Sequence, residues 1–201
     1  KTLPPELQKS DRQISLNGKW QIAFFPKGAP SKIDTDRLNF SSIDVPSCWQ
    51  LRGFEQPAYL KDRYEFNCRP PHVPSKQPVG IYSDGVTKRR LRAFDAYNSA
   101  AVYRKTFNIR DLSKSYIITF FGVSSCFDLY INGNFVGYSQ GSHNTAEFDI
   151  SRYLKEVSNE IIVLVRKWCV GSYLESHNTF RLSGIFRDVF LQQNNKTHIF
   201  D

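Results

Sequence analysis

The chain has 201 residues, of which 40% are hydrophobic, and a formal net charge of +8. This length suits one well-filled domain, and 16 Phe with 10 Tyr residues supply ample material for its core. No stretch approaches the ~20 apolar residues that cross a membrane, so we expect no membrane partner. The basic residues are scattered apart from the run KRRLR at 88–92. A nucleic-acid protein clusters such residues on one face, so we expect no nucleic-acid partner.

The chain divides into an arm, one domain and the start of a linker. Residues 1–13 are polar and are expected to form an extended N-terminal arm. Residues 14–193 are predicted to form a β-sandwich domain, and 194–201 the start of a linker to a following domain. Within the domain, 45–78 contains six prolines and is expected to pack irregularly across a surface. The stretch 83–99 is predicted to be an inserted basic surface loop.

The apolar runs indicate an all-β fold, because they are short and rich in β-branched and aromatic residues. Turn-forming residues bound each of them. The predicted strands lie at 20–25, 102–109, 116–121, 127–131, 161–165 and 185–191. Asn132-Gly133 predicts a hairpin, since this pair tolerates the positive φ angles of a two-residue type I′ turn. A short helical turn is predicted at 149–154. Together these signals favour an antiparallel β-sandwich of the jelly-roll type.

The four cysteines give no metal signature, because Cys48, Cys68, Cys126 and Cys169 are widely spaced and form no CxxC motif. Cys126 and Cys169 lie in or beside apolar strands, so we predict buried, reduced thiols with a structural role. No signal peptide is visible in the sequence. The compartment stays open, with the cytoplasm favoured.

A series of short motifs follows in the order that is typical of one family. They are SLNGKW at 15–20, VPSCWQ at 45–50, GFEQPAY at 53–59, PPHVP at 70–74, FGVSSCF at 121–127, NGNFVGYSQ at 132–140, EFDI at 147–150 and GSYLESHNTFRLSGIFRDV at 171–189. This series resembles the N-terminal sugar-binding domain of glycoside hydrolase family 2, and its bacterial-type β-galactosidases in particular. The resemblance covers about 175 residues. It implies a jelly roll like other galactose-binding domains.

The resemblance also implies a division of labour between domains. Retaining β-glycosidases use two carboxyl groups about 5 Å apart, and in this family both catalytic glutamates belong to a later barrel domain. We therefore expect no catalytic residue in this chain and no hydrolysis by the chain alone. The loop at 171–184 is expected to reach into the barrel's active site and to contribute to its sugar subsite.

The sugar-contacting residues that the resemblance implies begin with Asn178. It stands where the family pattern YLEDQD ends in an acid that binds sodium and galactosyl hydroxyls. An amide oxygen can ligate a cation, but without the charge it binds more weakly. His177 is a further candidate ligand or hydroxyl partner, although a loop histidine is more often solvated. Phe180 is expected to stack on a sugar face. For the full-length enzyme the resemblance implies sodium and magnesium as cofactors.

A second sugar contact in the family comes from an Asn in the motif NPTGxY, and two alignments compete for it. The segment at 73–82 has the correct upstream spacing but carries Gln77 at this place. The segment at 98–107 has Asn98 and the correct following strand, but lacks the Pro and the Gly. Gln77 and Asn98 are both kept as candidates, beside the alternative that each is only a turn residue.

Two classes of function follow. The first is the non-catalytic first domain of a β-galactosidase, whose partners are the barrel of the same polypeptide and a β-galactoside substrate, in an expected homo-oligomer. The second is a stand-alone carbohydrate-binding module, since jelly rolls host both functions. A family 2 β-glucuronidase or β-mannosidase is a related alternative. The loop at 171–184 favours the first class, because a free-standing module has no need of a loop aimed at another domain.

Overall fold

The computed structural model describes residues 12–60, 66, 69–79, 94–175 and 179–197. The strands in these ranges are β1 Gln13–Ser15, β2 Gly18–Phe25, β3 Ser41–Val45, β4 Ala58–Leu60, β5 Lys76–Val79, β6 Phe94–Tyr97, β7 Ala100–Phe107, β8 Ser115–Phe120, β9 Val123–Ser124, β10 Cys126–Ile131, β11 Asn134–Gln140, β12 Ala146–Asp149, β13 Asn159–Arg166, β14 Thr179–Arg181, β15 Gly184–Ile185 and β16 Val189–Asn194. Helical structure in these ranges is limited to two 3-10 turns, Gln50–Arg52 and Ser151–Tyr153, and to α1, Ser172–Glu175. None of these helices has the length and apolar character that crossing a membrane requires.

Two antiparallel sheets form the sandwich. The smaller has the strand order β1-β16-β8-β12, and the larger has β11-β10-β13-β7-β2-β3. The main core lies between them: Ile118 and Leu191 come from the smaller sheet, and Trp20, Tyr103 and Val163 from the larger. Successive residues of a strand point to opposite faces, so one face of each sheet supplies this core. The expected all-β, antiparallel sandwich is confirmed.

The larger sheet is buried on its second face as well. Val102, Ile162 and Leu164 point away from the main core and are covered by Ile33, Leu38 and Phe40 from the segment between β2 and β3. Two buried faces explain why β7 and β13 read as continuous apolar runs and lack alternation.

The predicted hairpin and helical turn are confirmed. Ile131 pairs with Asn134 across a two-residue loop, in which Asn132 has φ of 50° and Gly133 has φ of 79°. The predicted helical turn is the 3-10 turn Ser151–Tyr153, whose start is fixed by hydrogen bonds from the backbone N–H and the hydroxyl of Ser151 to Asp149. Cys126 and Cys169 are free and buried, as expected.

Four expected assignments differ from the strands observed. The segment expected to be irregular, 45–78, includes β4 and part of β5. The loop expected at 83–99 contains β6, which pairs with β5, because the two segments complete each other's backbone hydrogen bonds. Gln13, expected in the arm, pairs with Gln192, and Asn194, expected in the linker, is the last residue of β16. Residues 1–11, 83–93 and 198–201 of the expected arm, loop and linker lie outside the described residues.

The carboxylate of Glu55 joins separate parts of the chain at one end of the sandwich. One oxygen accepts hydrogen bonds from the indole N–H of Trp49 (3.1 Å) and the amide of Gln50 (3.0 Å). The other accepts from the hydroxyl of Ser99 and the ammonium of Lys167, both at 3.1 Å. A carboxylate has about four lone-pair sites, so these donors fill its capacity. We call these five residues the Glu55 network.

The Glu55 network continues into the segment that leads to β15. The side-chain oxygen of Gln50 accepts a hydrogen bond from the backbone N–H of Ser183 at 2.8 Å. The backbone N–H of Trp49 donates to the carbonyl of Ser183 at 2.9 Å, and that of Ser47 donates to Ile185 at 2.8 Å. Through these bonds one carboxylate fixes the start of the 3-10 turn, the entry to β7 and both ends of the loop after β13.

Replacing Glu55 by Gln should destabilise the fold strongly. The substitution removes the negative charge beside Lys167, whose side chain is only 8% exposed, and breaking a buried ion pair costs about 3 kcal/mol or more. Urea unfolding measures the loss. The control is Asp44→Asn, which removes the carboxylate of the exposed Lys19–Asp44 pair and should change stability far less. Equal losses in the two variants would contradict the central place of Glu55.

Candidate functional site

The segment from Trp168 to Arg181 leaves β13 and folds over a small second core. Phe66, Trp168 and Tyr173 are buried together. The ring of Phe66 lies 5.1 Å from that of Trp168 and 5.2 Å, edge to face, from that of Tyr173. Aromatic pairs in such tilted arrangements add to the energy of burial, so this cluster gives the segment a fixed base.

Asn98 holds the first residue of the segment. Its side-chain oxygen accepts a hydrogen bond from the backbone N–H of Trp168 (2.8 Å), and its amide donates to the carbonyl of Trp168 (3.2 Å). The Asn98 side chain thus makes the two hydrogen bonds that a neighbouring strand would otherwise make to the backbone of Trp168. One lone pair and one N–H of Asn98 remain for any further contact.

The carboxylate of Glu175 fixes the far end of α1. It accepts hydrogen bonds from the backbone N–H of Ser142 at 2.6 Å and from the hydroxyl of Ser142 at 2.5 Å. Tyr173, two residues earlier, donates its hydroxyl hydrogen to the carbonyl of His72 and accepts from the backbone N–H of Arg69 at 3.2 Å. These contacts attach the segment to β11's exit on one side and to the PPHVP motif on the other.

A cavity of about 200 Å³ lies beside this segment. Its lining includes Phe66, Ser142, His143, Lys167, Glu175 and Phe180. The ring of Phe180 is 58% exposed and packs at 5.3 Å against that of Tyr59, because β14 pairs with β4. Phe180 therefore lies among polar side chains such as Ser142 and Lys167 in the cavity lining, with Tyr59 packed on its ring, an arrangement that suits a ligand with hydroxyl groups and apolar faces.

Arg181 also lines this cavity and is incompletely hydrogen-bonded. One guanidinium nitrogen donates to the carbonyl of Glu175 at 3.0 Å. The Nε and Nη2 atoms are buried and have no hydrogen-bond partner within the described part of the chain. Buried N–H groups without a partner are costly.

The structure brings the two competing alignments to one place. Gln77 lies on β5 opposite Ala96 of β6, and the backbone N–H of Asn98 donates to the carbonyl of Ser75 at 2.9 Å. Gln77 on β5 and Asn98, the residue directly after β6, therefore both lie at this two-stranded sheet, and Asn98 also contacts Trp168. His177 and Asn178 lie outside the described residues. The predicted roles of all five residues stay predictions.

Sequence reasoning did not single out Glu55, Lys167 or Ser142. Glu55 could have been found as the one acid in the GFEQPAY motif, whereas Ser142 and Lys167 carry no local signal. Among the described residues, no group of three His, Cys, Asp or Glu side chains is arranged to hold a metal ion. Glu175 and Glu55, the acids near the cavity, are both engaged in positioning the backbone.

Comparison with known proteins agrees with this geometry. The family model described as "Glycosyl hydrolases family 2, sugar binding domain" matches residues 14–92 and 91–195. A β-galactosidase of Actinobacillus pleuropneumoniae is 38% identical over 195 residues, which is 96% of this chain and 17% of that protein. A β-galactosidase of Vibrio cholerae is 41% identical over 182 residues, 88% of this chain and 16% of that protein. The chain thus spans about one sixth of the length of these relatives.

Solved structures share the fold at low sequence identity. The β-glucuronidase of Bacteroides uniformis has a TM-score of 0.57 at 20% identity, over 90% of this chain and 18% of that one. The β-glucuronidase of Bifidobacterium dentium, complexed with coumarin-3-O-glucuronide, also has a TM-score of 0.57, at 17% identity, over 94% of this chain and 31% of that one. Because the family model spans nearly all of the sandwich, the chain belongs to glycosyl hydrolases family 2, as its sugar binding domain.

Proposed function

We propose that this chain is the N-terminal, non-catalytic domain of a β-galactosidase. In this proposal the loop at 171–184 completes a sugar subsite whose remaining walls belong to a barrel domain of the same polypeptide. Relatives named β-galactosidases at 38% and 41% identity support the substrate class. A homo-oligomeric full-length enzyme and a cytoplasmic location stay predictions.

The observation that carries the proposal is the half-built cavity beside Phe180. Pockets for small molecules usually enclose about 300–1,000 Å³, whereas the described residues form about 200 Å³. Phe180, which lines the cavity, is 58% exposed, and Leu174 on the neighbouring α1 is 92% exposed. Large exposed apolar side chains beside a small pocket are expected where another domain packs and adds the missing walls.

Our proposal assigns binding and positioning to this chain, and bond cleavage to the barrel. Glycoside hydrolysis needs an acid/base carboxyl and a nucleophilic carboxylate, both free to reach the glycosidic bond. Glu175 lines the cavity, but both of its oxygens accept hydrogen bonds from Ser142. Glu175 therefore acts as a clamp, which holds the end of α1 against Ser142.

The 201-residue chain by itself should neither hydrolyse nor measurably bind simple sugars. Ligand-observed NMR with a panel of β-galactosides, β-glucuronides and β-mannosides measures binding, and dispersed amide resonances serve as the control for folding. Sugar binding by the chain alone that is lost in the Asn178→Ala variant would contradict an incomplete subsite. It would favour a stand-alone carbohydrate-binding module.

In the full-length protein, Glu175→Gln should lower kcat/KM for a nitrophenyl β-galactoside about tenfold, since small misplacements near a reacting centre cost up to about 100-fold. The amide replaces one acceptor oxygen with a donor, so one of the two hydrogen bonds to Ser142 is lost. The matched control is Glu156→Gln, an exposed acid between β12 and β13, which should leave kcat/KM unchanged.

The same assay tests the substrate class. The full-length protein should hydrolyse the β-galactoside with a kcat/KM at least 100-fold above those for the β-glucuronide and the β-mannoside. A preference for the β-glucuronide or the β-mannoside would contradict the β-galactosidase assignment. It would not contradict the proposal that this domain contributes part of the sugar subsite. If Glu156→Gln lowered kcat/KM as much as Glu175→Gln does, the hydrogen bonds between Glu175 and Ser142 would have no special role in activity.

We further propose that the side-chain oxygen of Asn178 is the ligand that this chain provides to a sodium ion in the full-length enzyme. A neutral amide oxygen holds a cation less tightly than a carboxylate does. Asn178→Asp should therefore lower the sodium concentration that gives half-maximal activity, and sodium-23 NMR linewidths should show tighter ion binding by the variant. Identical sodium titrations for both proteins would exclude Asn178 as a ligand.

A further inference from the structure

A second groove lies on the outer face of the larger sheet, and we call it the outer groove. It encloses about 420 Å³, within the roughly 300–1,000 Å³ of pockets that bind small molecules. Ile162 and Leu164 of β13 line its floor, and Tyr130 of the neighbouring β10 lines one side. The segment 30–35, between β2 and β3, lines the other side. Among the described residues none lines both the outer groove and the cavity beside Phe180, so the two are separate.

The outer groove follows the direction of β13. Alternate residues of a strand share a face, so Glu160 and Arg166 stand in one row with the two floor residues. Glu160 and Arg166 are six residues apart, which corresponds to ~20 Å at about 3.3 Å per residue. This length suits an extended ligand of several linked units better than a single small ring.

Tyr130 presents an aromatic side chain whose orientation is fixed. Its ring packs edge to face against that of Phe135, with the centroids 5.5 Å apart, and Phe135 is 54% exposed. Burial and the neighbouring Asp128 raise the pKa of Tyr130, and the opposite effect of Arg166 is smaller. The hydroxyl therefore keeps its proton and remains a donor. Within the described part of the chain it has no hydrogen-bond partner, so it is available to a ligand.

Two ion pairs bring polar groups to the outer groove. Nε of Arg104 donates to Oε2 of Glu160 at 2.6 Å. Nη2 of Arg166 donates to Oδ2 of Asp128 at 2.7 Å. The second oxygen of Glu160 can still accept a hydrogen bond, and further N–H groups of Arg166 can still donate. Lys32 adds one positive charge from the opposite side. The outer groove is therefore rich in donors and acceptors but nearly neutral.

This balance of charge discriminates between classes of ligand. A polyanion such as a nucleic acid requires a cluster of basic groups, whereas the acids and bases here pair with one another. An apolar ligand would remove water from Glu160 and Arg166 without replacing its hydrogen bonds, which is costly. Sugar hydroxyls both donate and accept, and the apolar faces of sugar rings can pack on an aromatic side chain. A neutral saccharide chain therefore fits the outer groove best.

We propose that the outer groove binds a neutral polysaccharide chain. Tyr130 provides the stacking surface, Glu160 accepts hydrogen bonds from sugar hydroxyls, and Arg166 donates hydrogen bonds to them. The next residue along β13, Lys167, lines the cavity beside Phe180. A chain bound along β13 is thus held next to the other site of this domain. The binding does not depend on the proposed β-galactosidase activity.

Native affinity electrophoresis of the full-length protein tests this site. The gels contain linear β-1,4-galactan, galactomannan or xyloglucan, and a thio-β-galactoside, which resists hydrolysis, is added to occupy the catalytic subsite. We expect at least one of these polysaccharides to slow the protein relative to a gel without polysaccharide, and the thio-β-galactoside to leave this retardation unchanged. Retardation by none of them, or retardation that the thio-β-galactoside abolishes, overturns the proposal.

Variants assign the binding to the outer groove. Tyr130→Ala should weaken binding about fivefold or more, because the stacking surface is lost. Ser31→Trp should block the groove from an exposed position without disturbing the packed core. The matched control is Phe190→Ala, which removes a partly exposed ring of β16 that packs edge to face against Phe121 and should bind as the unsubstituted protein does.

Thermal unfolding midpoints show which variants are folded. Unchanged binding in Tyr130→Ala and Ser31→Trp, or an equal loss in Phe190→Ala, overturns the assigned site. None of these readouts measures catalysis, so the result stands whether or not the full-length protein is a β-galactosidase.

Discussion

The hydrogen bonds to the Glu55 carboxylate are the constraint on which the functional end of this domain depends. A half-buried carboxylate must have its lone pairs satisfied, and here the donors come from the 3-10 turn, the entry to β7 and the exit of β13. None of these segments is adjacent to another in sequence. Their shared acceptor sets where β13 releases the chain, and therefore where Trp168 and the segment up to Arg181 begin. The aromatic cluster around Phe66 then supports that segment from below.

The segment has a buried part, which includes Trp168 and Tyr173, and an exposed part, which includes Leu174 and Phe180. The two parts differ in their chemistry. Tyr173 and Glu175 use their polar groups on the backbone or on Ser142, which leaves them little capacity for a ligand, whereas Asn98 keeps one lone pair and one N–H for a further contact. Phe180 and Leu174 are turned outward, where they add to the cost of the isolated surface unless a further domain covers them. In the proposed function, this arrangement presents a few side chains to a site that another domain completes. Precision at such a site comes from the supporting contacts more than from the presented groups.

The sandwich was predictable from local patterns, because strands buried between two sheets leave a direct record in apolar runs and turn residues. The hairpin at Asn132-Gly133 is the clearest case, since its φ angles follow from the residue types. The pairing of β5 with β6 was not predictable, because one strand lies within the Pro-rich segment and the other directly before Asn98. This pairing also brings the rival alignments together, because Gln77 lies on β5 and Asn98 directly follows β6. The Glu55 network was missed because hydrogen bonds between distant segments have no sequence period.

The residues of the motif SGIFRDV have a structural role: they hold separate parts of the sandwich together. Gly184 has φ of 127°, and a Cβ there would lie 2.7 Å from the hydroxyl of Tyr103 and 3.0 Å from the carbonyl of Ser47, so glycine is required by backbone conformation and by space. Ser183 and Ile185 complete the backbone bonds to the VPSCWQ motif. Asp188 accepts a hydrogen bond from Asn17 of the SLNGKW motif at 2.9 Å. The shared motifs thus contact one another and define the scaffold of the family's sugar binding domain.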